Sequence, residues 1–355
     1  MGAAAFYAEM HDLILPTLRK LEDALQLHKV RVFSLQPMMF SSQPMPEGGY
    51  VVESWRAQLQ RISRGDWKAP LMALARPLLH LNARRHLPPE ARRRLHPDLI
   101  LLERGMPMIA RRRWADRARR VRDSHLLIQG TGNGWDAAHW AQLLPAQISA
   151  VDLFPFESWA EISRWIKEQW GIRVEFQAAP LDALSFLPDA SVDLAASDAV
   201  FEHVRDLGAA LRETWRILKP GGLIYAAYGP LWYAPGGDHF SGAGGLAHSY
   251  NHLLLDPPEY QAYFERFRHT QPDFQSGGRY VELDLFSRLR TEEYLALYQD
   301  CGFKPEGLIV ELSERALDFR AQHPALFARL QERHPQCRVE DFLIKTHMVR
   351  LRKSG

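Results

Sequence analysis

Apolar residues recur along this chain in two textures, and the change comes near Ser124. Before it the spacing is that of amphipathic helices. Leu13, Ile14, Leu18, Leu21, Leu25 and Leu27 recur near a 3.6-residue period and predict a helix over 7–32. Further helices are expected over about 50–63, 69–82 and 88–122, punctuated by Pro70, Pro77, Pro88, Pro89, Pro97 and Pro107. A Pro-, Met-, Ser- and Gly-rich passage from Gln36 to Gly49 reads as a long loop. After Ser124 short apolar runs alternate with helical stretches. Leu126–Ile128, Ile148–Val151, Val174–Gln177, Val192–Ala196 and Leu223–Tyr228 read as strands. Helices running to Leu144, over Ser158–Trp170 and over Leu207–Leu218 lie between them. Helix Glu292–Asp300, strand Gly307–Glu311, helix 314–332 and strand Phe342–Arg352 complete the pattern. Strands alternating with helices at this spacing predict an α/β fold, a doubly wound, mostly parallel sheet of seven strands. The chain then divides into a helical N-terminal region, 1–122, and an α/β domain, 123–355. That domain carries a lid insertion at about 230–290, where Gly, His, Pro and aromatic residues interrupt the alternation.

Composition narrows the class without naming a function. With 355 residues, 46% hydrophobic and 24% charged, the chain has the balance of a soluble globular protein of one large or two smaller domains. Two cysteines, Cys301 and Cys337, are too few for a disulfide framework or a zinc cluster and fit a reducing cytoplasm. The first residues lack a basic n-region, and Glu9, His11, Asp12, Pro16, Arg19 and Lys20 break the next apolar stretch, so no signal peptide is expected. Nor is a membrane span, since no run of about 18 apolar residues occurs. The expected location is cytoplasmic.

Charge is uneven. The net charge is +2, but residues 84–122 hold 13 arginines against four acids, Glu90, Asp98, Glu103 and Asp116. Three readings stand: a solvated helix in which Asp116 pairs with Arg112, Arg113, Arg119 and Arg120; a surface for an anionic acceptor; or a nucleic-acid patch. The last is weakest, because the stretch carries no known nucleic-acid-binding module.

Candidate chemistry begins at Gly130-Thr131-Gly132-Asn133-Gly134, directly after a buried strand. Glycines there let the backbone turn tightly and approach a ligand, and the following helix offers free N–H groups. Asp152 ends the next strand, 22 residues after Gly130, the spacing at which a carboxylate accepts the hydroxyls of an adenosine ribose. The glycines read G-x-G-x-G, not the dinucleotide G-x-G-x-x-G. Asp136 beside them would repel a pyrophosphate but suits a cationic sulfonium and an α-amine.

With these residues the segment Leu126–Gly229 resembles the class I S-adenosylmethionine-dependent methyltransferases, especially the small-molecule and glycan branch. The resemblance rests on the glycine cluster, on Val151-Asp152, and on Leu181-Asp182-Ala183 with Leu187-Pro188-Asp189 and Val192-Asp193-Leu194. Phe201-Glu202-His203-Val204, Leu211-Arg212-Glu213 and Leu218-Lys219-Pro220-Gly221-Gly222 extend it. It implies S-adenosylmethionine as cofactor, held by Gly130, Gly132, Gly134, Asp136, Asp152, Leu153, Asp182, Ala183 and Ser197. One position departs: the acid usual two residues before the first glycine is Ile128, so Asp136 or a backbone carbonyl would take its place.

Ser197-Asp198-Ala199-Val200 lacks the Asn/Asp-Pro-Pro-aromatic signature of base N-methylation. The expected acceptor is a hydroxyl of a small molecule or glycan, under a roof running from Gly229 to Phe240 with His248, Tyr250 and His252. Trp232, Tyr233, His248 and His252 are the candidate acceptor-binding residues. His239 is the candidate general base, since imidazole suits proton removal near pH 7; Asp198 and His203 come next. His239, His248, His252 and Asp238 could gather around a divalent ion, but the Gly-rich surroundings favour no metal. Two other functions compete: an RNA methyltransferase using the Arg84–Arg122 stretch, and a non-catalytic cofactor-binding scaffold, to which Ile128 points.

Overall fold

The computed structural model describes residues 42–44, 50–52, 100–102, 108–268 and 280–354. The helices expected over 7–32 and 69–82 lie outside the described residues. Two short strands, β1 (Ser42–Pro44) and β2 (Tyr50–Val52), pair antiparallel. They replace part of the expected loop and the start of the expected 50–63 helix, because Val51 and Val52 are β-branched.

The main sheet has eight strands. They are β3 (Ile100–Leu102), β4 (His125–Gln129), β5 (Gln147–Asp152), β6 (Arg173–Ala178), β7 (Val192–Asp198), β8 (Leu218–Tyr228), β9 (Phe303–Leu312) and β10 (Ile344–Lys353). Their order across the sheet is β3-β9-β10-β8-β7-β4-β5-β6. β10 runs antiparallel to both its neighbours; the other pairings are parallel. The seven expected strands are thus present in a mostly parallel sheet, and β3 is an eighth. Its residues fall inside the helix expected over 88–122. The open edge of β9 offers backbone partners that a three-residue apolar run can use, and the helix there begins only at Met108, after Pro107.

Helices cover both faces. On one lie α1 (Met108–Ala118), α2 (Trp135–Ala141) and α3 (Trp159–Trp170), burying Trp114, Trp140, Ile162 and Ile166 against Leu126, Ile128, Ala196 and Tyr225. On the other lies α4 (Leu207–Ile217), which packs Leu207, Leu211 and Ile217 against Leu127, Ala195 and Ile224. Successive strand residues feed opposite faces, so near-continuous apolar runs such as Leu126-Leu127-Ile128 are what a sheet buried on both sides requires.

The lid runs through α5 (Asn251–Leu254) and α6 (Pro257–Phe267) and returns to α7 (Thr291–Asp300). It has its own apolar cluster of Phe240, Ala243, Tyr263 and Phe264. At its heart Asp238, 1% exposed, accepts from the backbone of Phe240 (3.1 Å) and Ser241 (2.7 Å), from Ser241 Oγ (2.8 Å) and from the Tyr260 hydroxyl. Tyr250 ties the lid down by donating to the Phe342 carbonyl (2.6 Å), and Arg315 by donating to Ser249 Oγ (2.7 Å) and the Gly242 carbonyl (2.8 Å).

Two C-terminal expectations need correction. The helix over 314–332 is two, α8 (Glu314–Gln322) and α9 (Pro324–Arg333), because Pro324 can begin a helix but cannot continue one. The last strand starts at Ile344, after α10 (Val339–Leu343). Cys301 and Cys337 are free thiols, and no helix among the described residues is long and apolar enough to cross a membrane.

Candidate functional site

Strands β4, β5 and β7 end side by side, and the glycine turn leaves β4 between its two neighbours. Gly130 and Thr131 donate their N–H groups to the Val151 carbonyl at 2.8 and 3.0 Å, which bends the chain over the end of β5. Gly130 has φ +74°, and a Cβ there would lie 2.0 Å from Val200 Cγ2, so the position admits no side chain. Gly132, at φ +53°, faces open space instead. The Asp152 carboxylate holds this turn: Oδ2 accepts from Gly132 N (2.8 Å) and Oδ1 from Phe154 N (3.2 Å). The Trp159 indole donates to the Gly132 carbonyl (2.8 Å) and stacks on Phe176.

These residues fit the implied cofactor on three observations. Each Asp152 oxygen has spent one lone pair on the backbone and keeps another for a hydroxyl. Leu153, beside it, is 48% exposed, as a flat apolar surface needs in order to receive a base. Gln129 Oε1, Thr131 Oγ1 and Ser197 Oγ, all buried near the turn, have no hydrogen-bond partner among the described residues. Buried polar atoms are nearly always paired, so three orphans at one strand end mark a place where a polar ligand belongs. Asp182 and Ala183 lie exposed in the turn after β6.

Asp136 sits in the first turn of α2, where its carboxylate receives the Arg112 guanidinium from α1. Arg112, 5% exposed, also lies 3.6 Å from Asp198 Oδ2 and over the Trp140 ring. Asp198 accepts from the Tyr225 hydroxyl at 2.7 Å. Burial, and then the neighbouring Asp136, push its carboxyl above the usual range. Asp136 and Asp198 are therefore both engaged by Arg112, a partner that the α1 helix brings from outside the glycine region. Arg111 of α1 pairs with Glu311 (3.3 Å) and Arg119, just past the helix end, with Asp193 (2.5 Å), whereas Arg117 and Arg120 are exposed. Asp116 accepts from Val121 N (2.9 Å), at the end of the helix. The expected pairing within the helix gives way to pairing across the fold.

Next to the turn, on the lid side, Glu202, His203 and His239 converge, with one donor atom of each within 4.8 Å of the others. Glu202 and His203 lie in a single 3-10 turn, Phe201–His203, after β7. Glu202 is 3% exposed; its Oε1 accepts from Gly229 N (2.9 Å) and its Oε2 is unpaired. Burial pushes its carboxyl up to about 8, against the pull of the Gly229 N–H. The His203 Nδ1–H donates to the Leu285 carbonyl (2.9 Å), which leaves Nε2 as its lone pair, and its ring stacks on Tyr280 at 3.9 Å. His239 reaches its place through a backbone at φ +59°, rare for a residue with a side chain. Its Nε2 is buried and unpaired, and burial followed by repulsion from His203 lowers its pKa to about 3.

The remaining lid candidates are spread out. His252 donates from Nε2 to the Trp232 carbonyl (2.8 Å), and its Nδ1 lies 3.7 Å from Asp238. His248 bonds Asn251 (3.1 Å) and stacks on Tyr263. Both therefore build the lid. Trp232 packs on Phe286 and His252 with the Arg288 guanidinium 4.8 Å over its ring, whereas Tyr233 packs toward His334. Sequence reasoning missed Arg112 and Glu202 as site residues. Glu202 carried a usable signal, a carboxylate directly before a histidine just past a strand end; Arg112 was one arginine among thirteen.

Residues 127–226 match the family model described as a methyltransferase domain. Over 99 residues the chain is 32% identical to a malonyl-[acyl-carrier protein] O-methyltransferase of Yersinia pestis, a match covering 28% of this chain and 34% of that protein. Over 102 residues it is 31% identical to a ubiquinone biosynthesis O-methyltransferase of Methylocella silvestris, covering 29% and 38%. The chain thus spans little more than a third of the length of these relatives. Among solved structures, an S-adenosylmethionine dependent methyltransferase from Mesorhizobium loti superposes with TM-score 0.41 and 20% identity, covering 68% of this chain and 98% of that one. The matched segment carries the glycine turn, the strand-end carboxylate and the strand order of the fold; the chain contains a methyltransferase domain of the class I, Rossmann-like family.

Proposed function

We propose that this chain transfers a methyl group from S-adenosylmethionine to a hydroxyl oxygen of a small-molecule or glycan acceptor. The observation that carries the reading is the convergence of Glu202, His203 and His239 beside the glycine turn, joined to it through Val200. S-adenosylmethionine, when bound, supplies an electrophilic methyl group. Asp152 would hold the ribose hydroxyls, Leu153, Asp182 and Ala183 the base, and Gln129, Thr131 and Ser197 would offer further polar atoms. A hydroxyl becomes a competent nucleophile only as its proton is drawn off. The lone pairs of the Glu202–His203–His239 cluster meet that hydroxyl, with His239 reaching in from the lid. Asp198 is committed to Arg112 and Tyr225 and serves the shape of the site.

Oxygen as the target is supported by the names of the two relatives, both O-methyltransferases. Trp232, with the Arg288 guanidinium over its ring and that guanidinium paired to Asp284, would give the acceptor an aromatic wall. The described parts of the insertion, 230–268 and 280–290, shape the pocket, and two free thiols fit a cytoplasmic setting. The pairing of Arg111, Arg112 and Arg119 with acids across the fold weighs against RNA as the acceptor. The test is transfer of labelled methyl from S-adenosylmethionine to a panel of hydroxylated metabolites, nucleotide sugars and RNA. Transfer to RNA alone would overturn the reading.

A further inference from the structure

The same cluster carries a second inference, which rests on its being the acceptor site. We propose that Glu202, His203 and His239 hold a divalent first-row cation of the zinc and cobalt kind, leaving an open coordination position for an oxygen of the acceptor. The donor set is two imidazoles and one carboxylate, the mix that borderline cations such as zinc prefer over the all-oxygen cages of calcium and magnesium. Three protein ligands with one position free is also the count of a working metal site, as opposed to a closed structural one.

Four features of the chain support it. The donor atoms lie within 4.8 Å of one another, and tetrahedral ligands at roughly 2.0–2.1 Å from an ion are about 3.3 Å apart, so small side-chain rotations would close the set. Glu202 Oε2 and His239 Nε2 are buried and unpaired among the described residues, a costly state for two polar atoms that an ion would relieve. Each of two ligands is held from behind. His203 donates its Nδ1–H to the Leu285 carbonyl, which fixes the tautomer with Nε2 free, and Gly229 N–H holds the other oxygen of Glu202. This is the outer layer of hydrogen bonds that metal-binding histidines and carboxylates use. Finally Tyr280 and Phe286 lie against both histidine rings and screen the cluster in part from solvent.

The site is not the one the sequence pattern offered. Of His239, His248, His252 and Asp238, only His239 takes part. Asp238 is filled by four hydrogen bonds, and His252 and His248 are bonded within the lid. His239 belongs to the lid and the other two ligands to the sheet end, so the ion would also fasten the lid shut over the acceptor. At the ion the acceptor's O–H bond is polarised and its proton leaves to water, which frees the oxygen pair for the methyl group.

The experiment uses the full chain, stripped with a chelator and titrated with cobalt(II) by calorimetry and visible absorption. One ion per chain is expected, with the ligand-field bands of a low-coordinate nitrogen and oxygen site. His239→Ala and Glu202→Gln should each weaken binding by about 100-fold or more, and His248→Ala should leave it unchanged. Glu202→Gln preserves shape, and its melting curve reports whether it folds; His239→Ala stands as the second ligand variant if it does not. No stoichiometric ion on the folded wild-type chain overturns the proposal, as does equal binding by His239→Ala. Full methyl transfer by the stripped protein would remove the ion and leave the acceptor reading standing. Tight cobalt binding lost in His239→Ala, with no transfer to any hydroxyl, would do the reverse.

Discussion

The glycine turn and the lid meet at one end of the sheet, but they are built in opposite ways. The turn is made from neighbours: Gly130 and Thr131 bond to the next strand, and Asp152 at that strand's end bonds back to Gly132. Backbone groups do most of the work, and glycine's freedom at positive φ is what the chain needs there. The lid is made from side chains far apart in sequence. His239 meets Glu202 and His203 across the loop, and Leu285, from the lid's return, holds His203. The first kind of site depends on conformation and tolerates change in surrounding side chains. The second depends on particular side chains and can vary between relatives that share the turn. The family match, over 127–226, takes in the turn, Glu202 and His203 and ends before His239.

The sharpest way to break this comparison is to damage the lid alone. His239→Ala should leave S-adenosylmethionine affinity nearly intact while turnover falls by about 10²–10⁴-fold, measured by calorimetry and by methyl transfer. Equal losses in both would mean that the two halves are not separable. Asp152→Ala attacks the other half. Affinity for S-adenosylmethionine should drop by roughly tenfold or more, on the scale of charge-assisted hydrogen bonds, and unchanged affinity in a folded variant would remove Asp152 from the cofactor site. Gly130→Ala forces a Cβ into Val200 at positive φ and should cost about 1–3 kcal/mol in denaturant unfolding. A neutral result there would show that the turn relaxes more freely than its packing implies.

A smaller effect tests the scaffold beneath both halves. His347, fully buried on β10, bonds the Tyr228 hydroxyl (3.0 Å), and burial lowers its pKa to about 3. His139, beside Arg112, is lowered to about 4, by burial first and by that guanidinium second. Both folded values lie below the unfolded value of about 6.5, so the stability they contribute is present above pH 6.5 and is lost as pH falls toward 3–4. The urea midpoint should therefore fall between pH 7 and pH 4.5, less steeply in His347→Gln; a flat profile would contradict the buried neutral assignment. Smallest of all is the expected response to nucleic acid. Because Arg111, Arg112 and Arg119 are spent on Glu311, Asp136 and Asp193, RNA should bind no tighter than about 10 μM at physiological salt. A submicromolar, structure-selective complex would restore the RNA reading.

What the sequence determined by itself is the part ruled by local physics. The alternation of apolar runs and helical stretches predicts the seven strands, and the glycines and Asp152 announce the turn, because those signals lie within one strand–turn–helix unit. Boundaries failed where a short segment had two options. Ile100–Leu102 is apolar enough for a helix face, yet it becomes a strand because β9 leaves an edge unpaired, and that edge exists only in the folded sheet. Tertiary structure alone decided which charged and titratable side chains meet. Arg112 reaches Asp136 and Asp198 only after α1 docks on the sheet, and Glu202 finds His239 only after the lid closes. A side chain's neighbours across a long loop are set by where the whole core places the loop's ends. No pattern of spacing along the chain encodes that position.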